Sequence, residues 1–352
     1  MENKKPFYVI LDEICKEKNI KQELLSYGWI RKLEKENKIH YLMRYEFDLN
    51  SSISHNIAGD KYATYEVLSD KGIPTIPHKI IFNPITRSGY YNKNFFNEIE
   101  NILEKYDNKV VVKANDSYKG KDVFYCSTKE EVEEVIEKLF KEKNDTLSIC
   151  PYLDIDFEYR AIYLCGEIIY IYKKKKPYVI GDGVKTIKQL IGERKETEVP
   201  IDLNRDLKLN YIPKKDEEVT ISWKHNLSGG AEPILVDETD EFYDRIKDIA
   251  KKAGDSINIT FASVDVTLTN KKEIVVMEIN ASVCMNKFSE VFENGKEIAK
   301  DIYSKAIDKM FDNYWLKYIC LIYKNNENTF LFSLFYFLFS KFINSLSINF
   351  RR

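Results

Sequence analysis

Apolar residues recur at three- and four-residue spacing in several stretches of the chain, which predicts amphipathic helices. One such stretch, residues 62–68, follows Asp60, and we expect its helix to end at Gly72. Ser127 and Glu130 have the spacing of a capping box and predict the start of another helix. The remaining helical patterns are the face formed by Val132, Val135, Ile136, Leu139 and Phe140; residues 186–191; the series Phe242, Ile246, Ile249 and Ala253 ending at Gly254; and residues 290–310.

Short runs rich in β-branched and aromatic residues, bounded by turn residues, predict strands. Two pairs of runs are close enough in sequence to form hairpins, one turning at Gly166 and one at residues 270–272. Because hairpins outnumber strand–helix–strand units, we expect mixed or antiparallel sheets and not a Rossmann sheet. The predicted strands are residues 109–113, 122–126, 147–150, 157–164, 168–172, 261–268 and 274–279.

Composition narrows the class of protein. The 352 residues are 44% hydrophobic and 31% charged, which allows a buried core and two or three subdomains. Lys and Arg number 54 against 56 Asp and Glu, and the net charge of −2 argues against a nucleic-acid partner. The six cysteines form no CxxC pair and no Cys/His ligand spacing, so we expect buried thiols in a reducing cytosol. With no secretory signal at the start, these features predict a soluble cytoplasmic protein.

Two predicted strands near the end of the chain carry carboxylate and amide side chains. Asp265 lies in the first strand, and Glu278 and Asn280 lie at the end of the second. Residues two apart on a strand share a face, so hairpin pairing would bring Asp265 beside the other two. Oxygen ligands of this kind suit Mg²⁺. The alternative is an ordinary polar face, but both carboxylates interrupt runs of Val, Ile and Met, where an unpaired charge is costly.

A second candidate site combines lysines with a polar loop. Lys113 ends the apolar run VVVK and opens a loop whose amides, with nearby lysines, would counter a polyphosphate. Lys61 opens a helix, where amide donors face an anion. Each lysine alone is more often a surface residue. The chain has no Walker GxxxxGK[ST] motif and no GxGxxG after a strand, which excludes two common nucleotide motifs. The loop residues concerned are Ser117, Lys119, Gly120 and Lys121.

The order of these segments resembles the ATP-grasp superfamily over about residues 59–310. The similarity is carried by GDKYATYEVLSDKGIP, VVVKAN, SICPYLDIDFEYRAIYLCGEI, KKPYVIGDGVKTIKQLI, KHNLSGG and VDVTL…VVMEIN. It is strongest to the ATP-grasp portions of cyanophycin synthetases, bifunctional glutathione synthetases and ribosomal-protein glutamate ligases. The phrases VIGDGVKTI and HNLSGG favour the first two groups. The resemblance implies an α+β ATP-grasp fold, with two α+β subdomains that clasp ATP and a small α/β subdomain before them.

The resemblance also implies roles for individual residues. Two departures from the family pattern weaken the assignment: Cys150 and Pro151 stand where the family often has glutamates, and Lys224 replaces an arginine, giving a point charge instead of a bidentate fork. The implied ATP contacts are Lys61 and Lys113 on the phosphates, Ser117, Lys119 and Gly120 in a mobile phosphate loop, Cys150, Pro151, Tyr152 and Leu153 as the hinge that reads adenine, and Glu158 on the ribose. The remaining roles are Lys224, His225 and Asn226 beside the transferring phosphate, Arg160 facing the carboxylate substrate or acyl phosphate, and Asp265, Glu278 and Asn280 on Mg²⁺, for which Mn²⁺ is a possible substitute.

The activity implied by the resemblance is ATP-dependent ligation of a carboxylate to an amine through an acyl phosphate, releasing ADP and phosphate. The rival interpretations are an ATP-grasp carboxylase, an acyl-thiol ligase, and a module that binds ATP without turnover. The substrates would be small molecules, an amino acid or carboxylic acid and an amine. We expect specificity from the N-terminal subdomain and from residues 173–195 and 205–215. The lysine run Lys173–Lys176 would attract an acidic substrate or, more commonly for such runs, form a solvated cluster.

The predicted organisation has three parts. These are an N-terminal subdomain (residues 1–58), an ATP-grasp domain (59–312, divided into 59–147 and 148–312) and a Phe-rich tail (313–352). The apolar part of the tail is shorter than the roughly 20 residues of a spanning helix. It predicts a helix docked on the body or at a homo-oligomer interface, or else a weak membrane-surface anchor.

Overall fold

The computed structural model describes residues 5–116, 122–194, 197 and 201–312. The chain divides into two compact units, Met1–Ala306 and Ile307–Arg352, and the second is described only as far as Asp312. Ser117, Lys119 and Gly120 of the predicted phosphate loop, and the predicted tail, lie outside the described residues. Within the described part of the chain, no helix combines the length and apolar character needed to cross a membrane.

Helices and strands are interspersed along the described residues. The helices are α1 (Pro6–Glu17), α2 (Ser52–Gly59), α3 (Lys61–Asp70), α4 (Phe95–Lys105), α5 (Lys129–Lys141), α6 (Ile187–Gly192), α7 (Tyr243–Ser256), α8 (Asn286–Val291) and α9 (Gly295–Phe311). The strands are β1 (Lys21–Leu25), β2 (Ile30–Lys35), β3 (Lys38–Met43), β4 (Glu46–Phe47), β5 (Lys79–Phe82), β6 (Val110–Ala114), β7 (Val123–Cys126), β8 (Thr146–Pro151), β9 (Ile155–Leu164), β10 (Glu167–Lys175), β11 (Tyr178–Ile180), β12 (Glu218–Thr220), β13 (Glu232–Leu235), β14 (Phe261–Thr269) and β15 (Ile274–Asn280).

The strands among the described residues form four sheets, and every pair of neighbours within these sheets is antiparallel. The strand orders are β1-β2-β3-β4, β5-β8-β6-β7, β13-β10-β9-β14-β15 and β11-β12. The prediction of mixed or antiparallel sheets is therefore confirmed for the described strands, and the antiparallel alternative is the one observed. Both predicted hairpins are present, as β9–β10 and β14–β15.

The five-stranded sheet has one apolar face and one polar face. Along β9, Tyr159, Ala161 and Tyr163 belong to the hydrophobic core shared with α7. Because side chains alternate along a strand, Glu158 and Arg160 lie on the opposite face. This alternation places charged residues together on the face that does not pack against α7.

The β5-β8-β6-β7 sheet divides its side chains in the same way. Val110 and Val112 of β6 pack in a core with residues of α4 and α5. Val111 belongs to a separate apolar cluster with Ile76 and Cys150. Lys113 shares the face of Val111, since the two are two residues apart on one strand.

Two helices begin where the sequence predicts them, and each start has a side-chain cap. Asp60 caps α3, its side chain accepting a hydrogen bond from the Ala63 amide at 2.8 Å. At α6, Thr186 and Gln189 form a complete capping box. Both helices are therefore fixed by local sequence.

The start of α5 corrects the predicted cap by one residue. Thr128, and not Ser127, is the N-cap, and its hydroxyl accepts from the Glu131 amide at 3.3 Å. Ser127 instead donates its own amide to the Glu131 carboxylate at 2.7 Å. The sequence STKEE fits the capping pattern in two registers, and local spacing does not distinguish them.

Helix α7 continues past the predicted end at Gly254 to Ser256. Gly254 is used for packing and not for termination. A β-carbon at this position would lie 2.6 Å from the ring of Tyr163 on β9. The glycine therefore allows the helix to lie close against the sheet.

This close approach predicts that Gly254→Ala destabilises the protein. Alanine gains up to about 1 kcal/mol of helix propensity, but overpacking costs about 1–3 kcal/mol. We expect a net loss of about 1–2 kcal/mol in the free energy of unfolding, measured by urea titration. The matched control is Gly192→Ala at the end of α6, where a β-carbon meets nothing within 4 Å. Equal stability of the Gly254 variant and the wild type would contradict the packing explanation.

The predicted helix over residues 290–310 is wrong in its first part. The structure has two helices here, α8 and α9, separated by a turn in which the Gly295 amide donates to the Phe292 carbonyl at 3.0 Å. A β-carbon on Gly295 would lie 2.4 Å from the Phe288 carbonyl oxygen. The backbone folds back on itself at this glycine, which an apolar periodicity cannot reveal.

Candidate active site

The candidate site begins on the polar face of the five-stranded sheet. One cross-strand row runs through Tyr172, Arg160, Asp265 and Glu278, on β10, β9, β14 and β15 respectively. Asn280 pairs with Ser263, two residues further along the hairpin. Strand register, more than any loop, therefore brings these side chains together.

Asp265 is held by a bidentate ion pair. Arg160 donates from Nε to Oδ1 at 2.7 Å and from Nη2 to Oδ2 at 2.6 Å, and Asp265 is 1% exposed. Burial acts to raise the pKa of the Asp265 carboxyl, but Arg160 and Lys174 lower it well below its usual value. The carboxylate is therefore charged at neutral pH. The implied role of Arg160 toward the substrate stays a prediction.

Lys174 is a member of this cluster that sequence reasoning missed. A lysine run is more commonly a solvated cluster, but Lys174 is 3% exposed and donates to the Glu158 carboxylate. Its Nζ is also 3.4 Å from Asp265 Oδ1. Burial acts to lower the pKa of the Lys174 ammonium, yet Asp265 and Glu158 raise it above its usual value. The signal available in the sequence was strand alternation, which gives Lys174 the same face as Tyr172.

Glu158 lies against Lys174 in the structure. Burial raises the pKa of its carboxyl to about 7, against the opposing effect of Lys174. Its implied contact with ribose stays a prediction.

The three predicted metal ligands lie together. Asn280 Nδ2 is 3.1 Å from Glu278 Oε1 and 3.5 Å from Asp265 Oδ2. No group of three His, Cys, Asp or Glu side chains suited to a metal occurs in the described residues. The set at this position is therefore two carboxylates and an amide.

Two buried lysines approach this acidic group from α3 and β6. Lys61 is 8% exposed and donates to the Asn115 carbonyl at 3.3 Å, and Lys113 is 7% exposed. Burial lowers the pKa of Lys61 to about 8, helped by the charge of Lys113 and opposed by that of Glu278. Both predicted phosphate-binding lysines are thus in one neighbourhood with Glu278.

His78 is a second residue that the sequence did not point to. It is 7% exposed, and its Nδ1 has no hydrogen-bond partner among the described residues. Burial, followed by the charges of Lys113 and Lys61, lowers its pKa well below the usual value. The imidazole is therefore neutral beside two cations.

The predicted hinge lies at the end of β8. Cys150 is buried with Ile76 and Val111, and Tyr152 and Leu153 pack against this apolar cluster. The Tyr152 amide donates to the Lys109 carbonyl at 2.8 Å. Pro151 ends the strand opposite Val110. The hinge therefore has an apolar wall, and its Tyr152 amide is already used within the protein.

The predicted phosphate-transfer segment connects two parts of the fold. Lys224 Nζ donates to the Val123 carbonyl at 2.8 Å and lies 3.0 Å from Asp202. Asn226 caps a short 3-10 turn, its Oδ1 accepting from the Ser228 amide at 3.1 Å. These contacts hold the segment next to β7. This strand follows residues 117–121, which lie outside the described residues.

His225 is 3% exposed, and within the part of the chain that the structure describes its Nε2 has no hydrogen-bond partner. Burial, then the charges of Lys176 and Lys174, lower its pKa to about 3. The ring is therefore neutral at physiological pH, and the charge of Lys174 is one of the causes of its lowered pKa.

Known proteins resemble this chain in sequence and in fold. Residues 222–306 match the RimK-like ATP-grasp domain. The chain is 23% identical over 220 residues to the bifunctional glutathione biosynthesis protein GshAB of Clostridium perfringens, covering 54% of this chain and 28% of that protein. It is 22% identical over 292 residues to cyanophycin synthetase of Trichormus variabilis, covering 76% of this chain and 30% of that protein. The solved bifunctional glutathione synthetase from Pasteurella multocida aligns with a TM-score of 0.51 and 20% identity, over 86% of this chain and 44% of that one. This chain therefore spans less than half the length of each of these relatives.

Proposed function

We propose that this chain, which has the ATP-grasp fold, is an ATP- and Mg²⁺-dependent carboxylate–amine ligase. It would form an amide bond through an acyl phosphate and release ADP and phosphate. The substrates would be an amino acid or other carboxylic acid and an amine.

One observation carries the proposal, namely the meeting of two buried lysines with a buried carboxylate, Asp265, and a half-buried one, Glu278. Lys61 and Lys113 belong to α3 and β6, and Asp265 and Glu278 belong to β14 and β15. The charge of Glu278 acts on Lys61, so the two groups are close in space. Burying a charge is costly unless a group of opposite charge pairs with it. A metal-bound polyphosphate would provide both partners, because its phosphates would pair with the lysines and its metal with the carboxylates.

The donor set is chemically suited to magnesium. Two carboxylates and an amide oxygen are hard ligands, and Mg²⁺ usually completes its shell with phosphates and water. Asp265, Glu278 and Asn280 would hold it, and it would neutralise charge on the phosphate oxygens. Asn280 directs its amide nitrogen at Glu278, so it must present its amide oxygen to act as a ligand.

The remaining side chains would position the nucleotide. Adenine would lie against the apolar cluster around Cys150 and Tyr152. The Tyr152 amide already donates to the Lys109 carbonyl. We therefore assign the backbone donor that would read the adenine edge to the Leu153 amide. Lys61 and Lys113 would neutralise the phosphates, and Glu158 would take the ribose hydroxyls. Phosphoryl transfer depends mainly on such positioning and charge neutralisation, so the proposal requires no nucleophilic side chain.

Arg160 and the 224–226 segment would act at the transfer step. Arg160 uses Nε and Nη2 on Asp265, and its guanidinium would also face the carboxylate substrate or the acyl phosphate. A donor there would stabilise the oxyanion formed when the amine attacks. Lys224, His225 and Asn226 are assigned to the neighbourhood of the transferring phosphate.

The direct test is phosphate release from ATP with Mg²⁺ and panels of acids and amines, followed by mass analysis of the product. We expect ADP and phosphate to form only when an acid is present, and an amide only when an amine is added. ATP binding without acid-dependent ADP over a broad panel would favour a non-catalytic module. Bicarbonate or thiol dependence would favour the carboxylase or acyl-thiol ligase instead.

The pKa of Lys61 predicts a pH dependence of ATP affinity. With a pKa of about 8, Lys61 is protonated below that pH and neutral above it. A polyphosphate binds the ammonium form, so affinity should be constant up to about pH 8 and then fall by at most about tenfold per pH unit. Bound phosphate favours the charged form and would move the midpoint upward. Titration calorimetry from pH 7 to 9.5 measures this.

The control is Lys61→Arg, because a guanidinium keeps its charge over this range. Its ATP affinity should depend less on pH than that of the wild type. Parallel pH profiles for the two proteins would assign the effect to another group. The other charges acting on Lys61 are those of Glu278, Lys113, Asp116 and Asp60.

A further inference from the structure

We propose that Lys174 is a positioning residue that acts as an internal counter-cation for Asp265. Together with Arg160, it would keep free divalent cations from this carboxylate until nucleotide enters the site. The inference rests on the proposed function only in assigning Asp265 to the metal.

The geometry places Lys174 between two carboxylates. Its ammonium donates to Glu158 and lies 3.4 Å from Asp265 Oδ1, and the side chains of Lys174 and Asp265 are 4% and 1% exposed. Arg160 engages both oxygens of the same carboxylate. Asp265 is thus enclosed by two cations belonging to the protein.

Lys174 differs from its neighbours in the lysine run. Lys173 pairs with Asp240 at 3.0 Å, and Lys175 pairs with Glu218 at a more exposed position. Lys174 is two residues from Tyr172 on β10, so it shares the face of Tyr172 and of the row that contains Asp265. A lysine with no role beyond the protein surface would stay exposed to solvent, whereas the Lys174 side chain is buried. The position of Lys174 is therefore specific to the cluster.

The charges of the cluster explain why a free cation is excluded. Arg160 and Lys174 offset the charges of Asp265 and Glu158, so these four side chains carry no net negative charge before any ion arrives. A divalent cation that approached Asp265 alone would have to break a buried, hydrogen-bonded ion pair, which is strongly unfavourable. Glu278 and Asn280 without Asp265 provide too few ligands for tight binding.

Nucleotide changes this balance. Its phosphates supply negative charge and further oxygen ligands, which can engage the protein cations and the metal together. Asp265 could then share its oxygens with the metal without leaving Lys174 or Arg160 unpaired. The arrangement therefore favours entry of metal and nucleotide as one complex.

The test is binding of Mn²⁺ alone to the full chain, measured by the EPR signal of free Mn²⁺ in the absence of nucleotide. We expect weak binding to the wild type and at least about tenfold tighter binding to Lys174→Met, because Asp265 loses one of its two cations. Lys174→Arg keeps the charge and should resemble the wild type. Lys175→Met is the matched control and should also bind Mn²⁺ as the wild type does.

A second readout is thermal stability. In EDTA, Lys174→Met should melt below the wild type, and added Mn²⁺ should stabilise it more than it stabilises the wild type. A lysine with a purely structural role would lower the melting temperature without changing Mn²⁺ affinity. If Lys174→Met is too unstable to purify, the double variant Lys174→Met/Glu158→Gln removes one charge of each sign, and it should still bind Mn²⁺ more tightly than the wild type.

Unchanged Mn²⁺ affinity in Lys174→Met, or in the double variant, would overturn the inference. So would an equal gain in Lys175→Met. Neither readout depends on turnover. A wild type that ligates substrates while Lys174→Met leaves Mn²⁺ binding unchanged would reject only this inference. A gain of Mn²⁺ affinity in a chain without ligase activity would reject only the proposed function.

Discussion

Lys113→Ala is expected to weaken ATP binding by about tenfold to a hundredfold and to reduce ATP turnover further. A charged hydrogen bond is worth about 1.5–3 kcal/mol, and Lys113 is a buried cation on the strand that leads into the phosphate-loop segment. The fold should remain intact, because Val110 and Val112, on the other face of β6, provide the core packing. Titration calorimetry and phosphate release measure the two effects.

The matched control for this variant is Lys109→Ala. Lys109 precedes the same strand and is exposed, so loss of its charge should leave ATP affinity and turnover unchanged. Circular dichroism of both variants checks the fold. If Lys113→Ala bound ATP with wild-type affinity and turned over at the wild-type rate, Lys113 would not be a phosphate-binding residue.

The second large effect is expected from Glu278→Gln. The amide is nearly isosteric with the carboxylate but removes a charged metal ligand, so activity should fall by about two to four orders of magnitude. Thermal stability without nucleotide should hold or rise, because Glu278 and Asp265 are neighbouring carboxylates. Mg·ATP should stabilise the variant less than it stabilises the wild type.

The control for Glu278→Gln is Glu273→Gln, which removes an exposed carboxylate just before the same strand. Turnover measured over a range of Mg²⁺ concentrations separates loss of metal binding from loss of folding. Near-normal turnover with normal Mg²⁺ dependence in Glu278→Gln would place the metal away from this hairpin.

Local sequence predicted those elements whose signal is contained in a few neighbouring residues. Asp60 and the capping box at Thr186 fix two helix starts, and alternation with short turns fixes the hairpins β9–β10 and β14–β15. The pairing of Asp265 with Glu278 followed from the same hairpin geometry. These features depend on hydrogen bonds and side-chain direction over short distances, so the sequence is sufficient for them.

Other features depend on contacts between distant parts of the chain. Gly254 looked like a helix end because glycine commonly ends helices, but the ring of Tyr163 explains its presence inside α7. The break between α8 and α9 depends on a close backbone approach at Gly295. Neither contact produces a periodic pattern of apolar and polar residues in the sequence.

The same distinction applies to the candidate site. The sequence by itself determined which residues carry charge and which face of a strand each occupies. Only the tertiary structure decided that Lys174 is buried between Glu158 and Asp265. It also decided that Lys61 lies near enough to Glu278 for the carboxylate charge to raise the pKa of the lysine. Burial depends on what the rest of the chain places over a side chain, and a lysine in a run of four looks solvated until the sheet that encloses it is known.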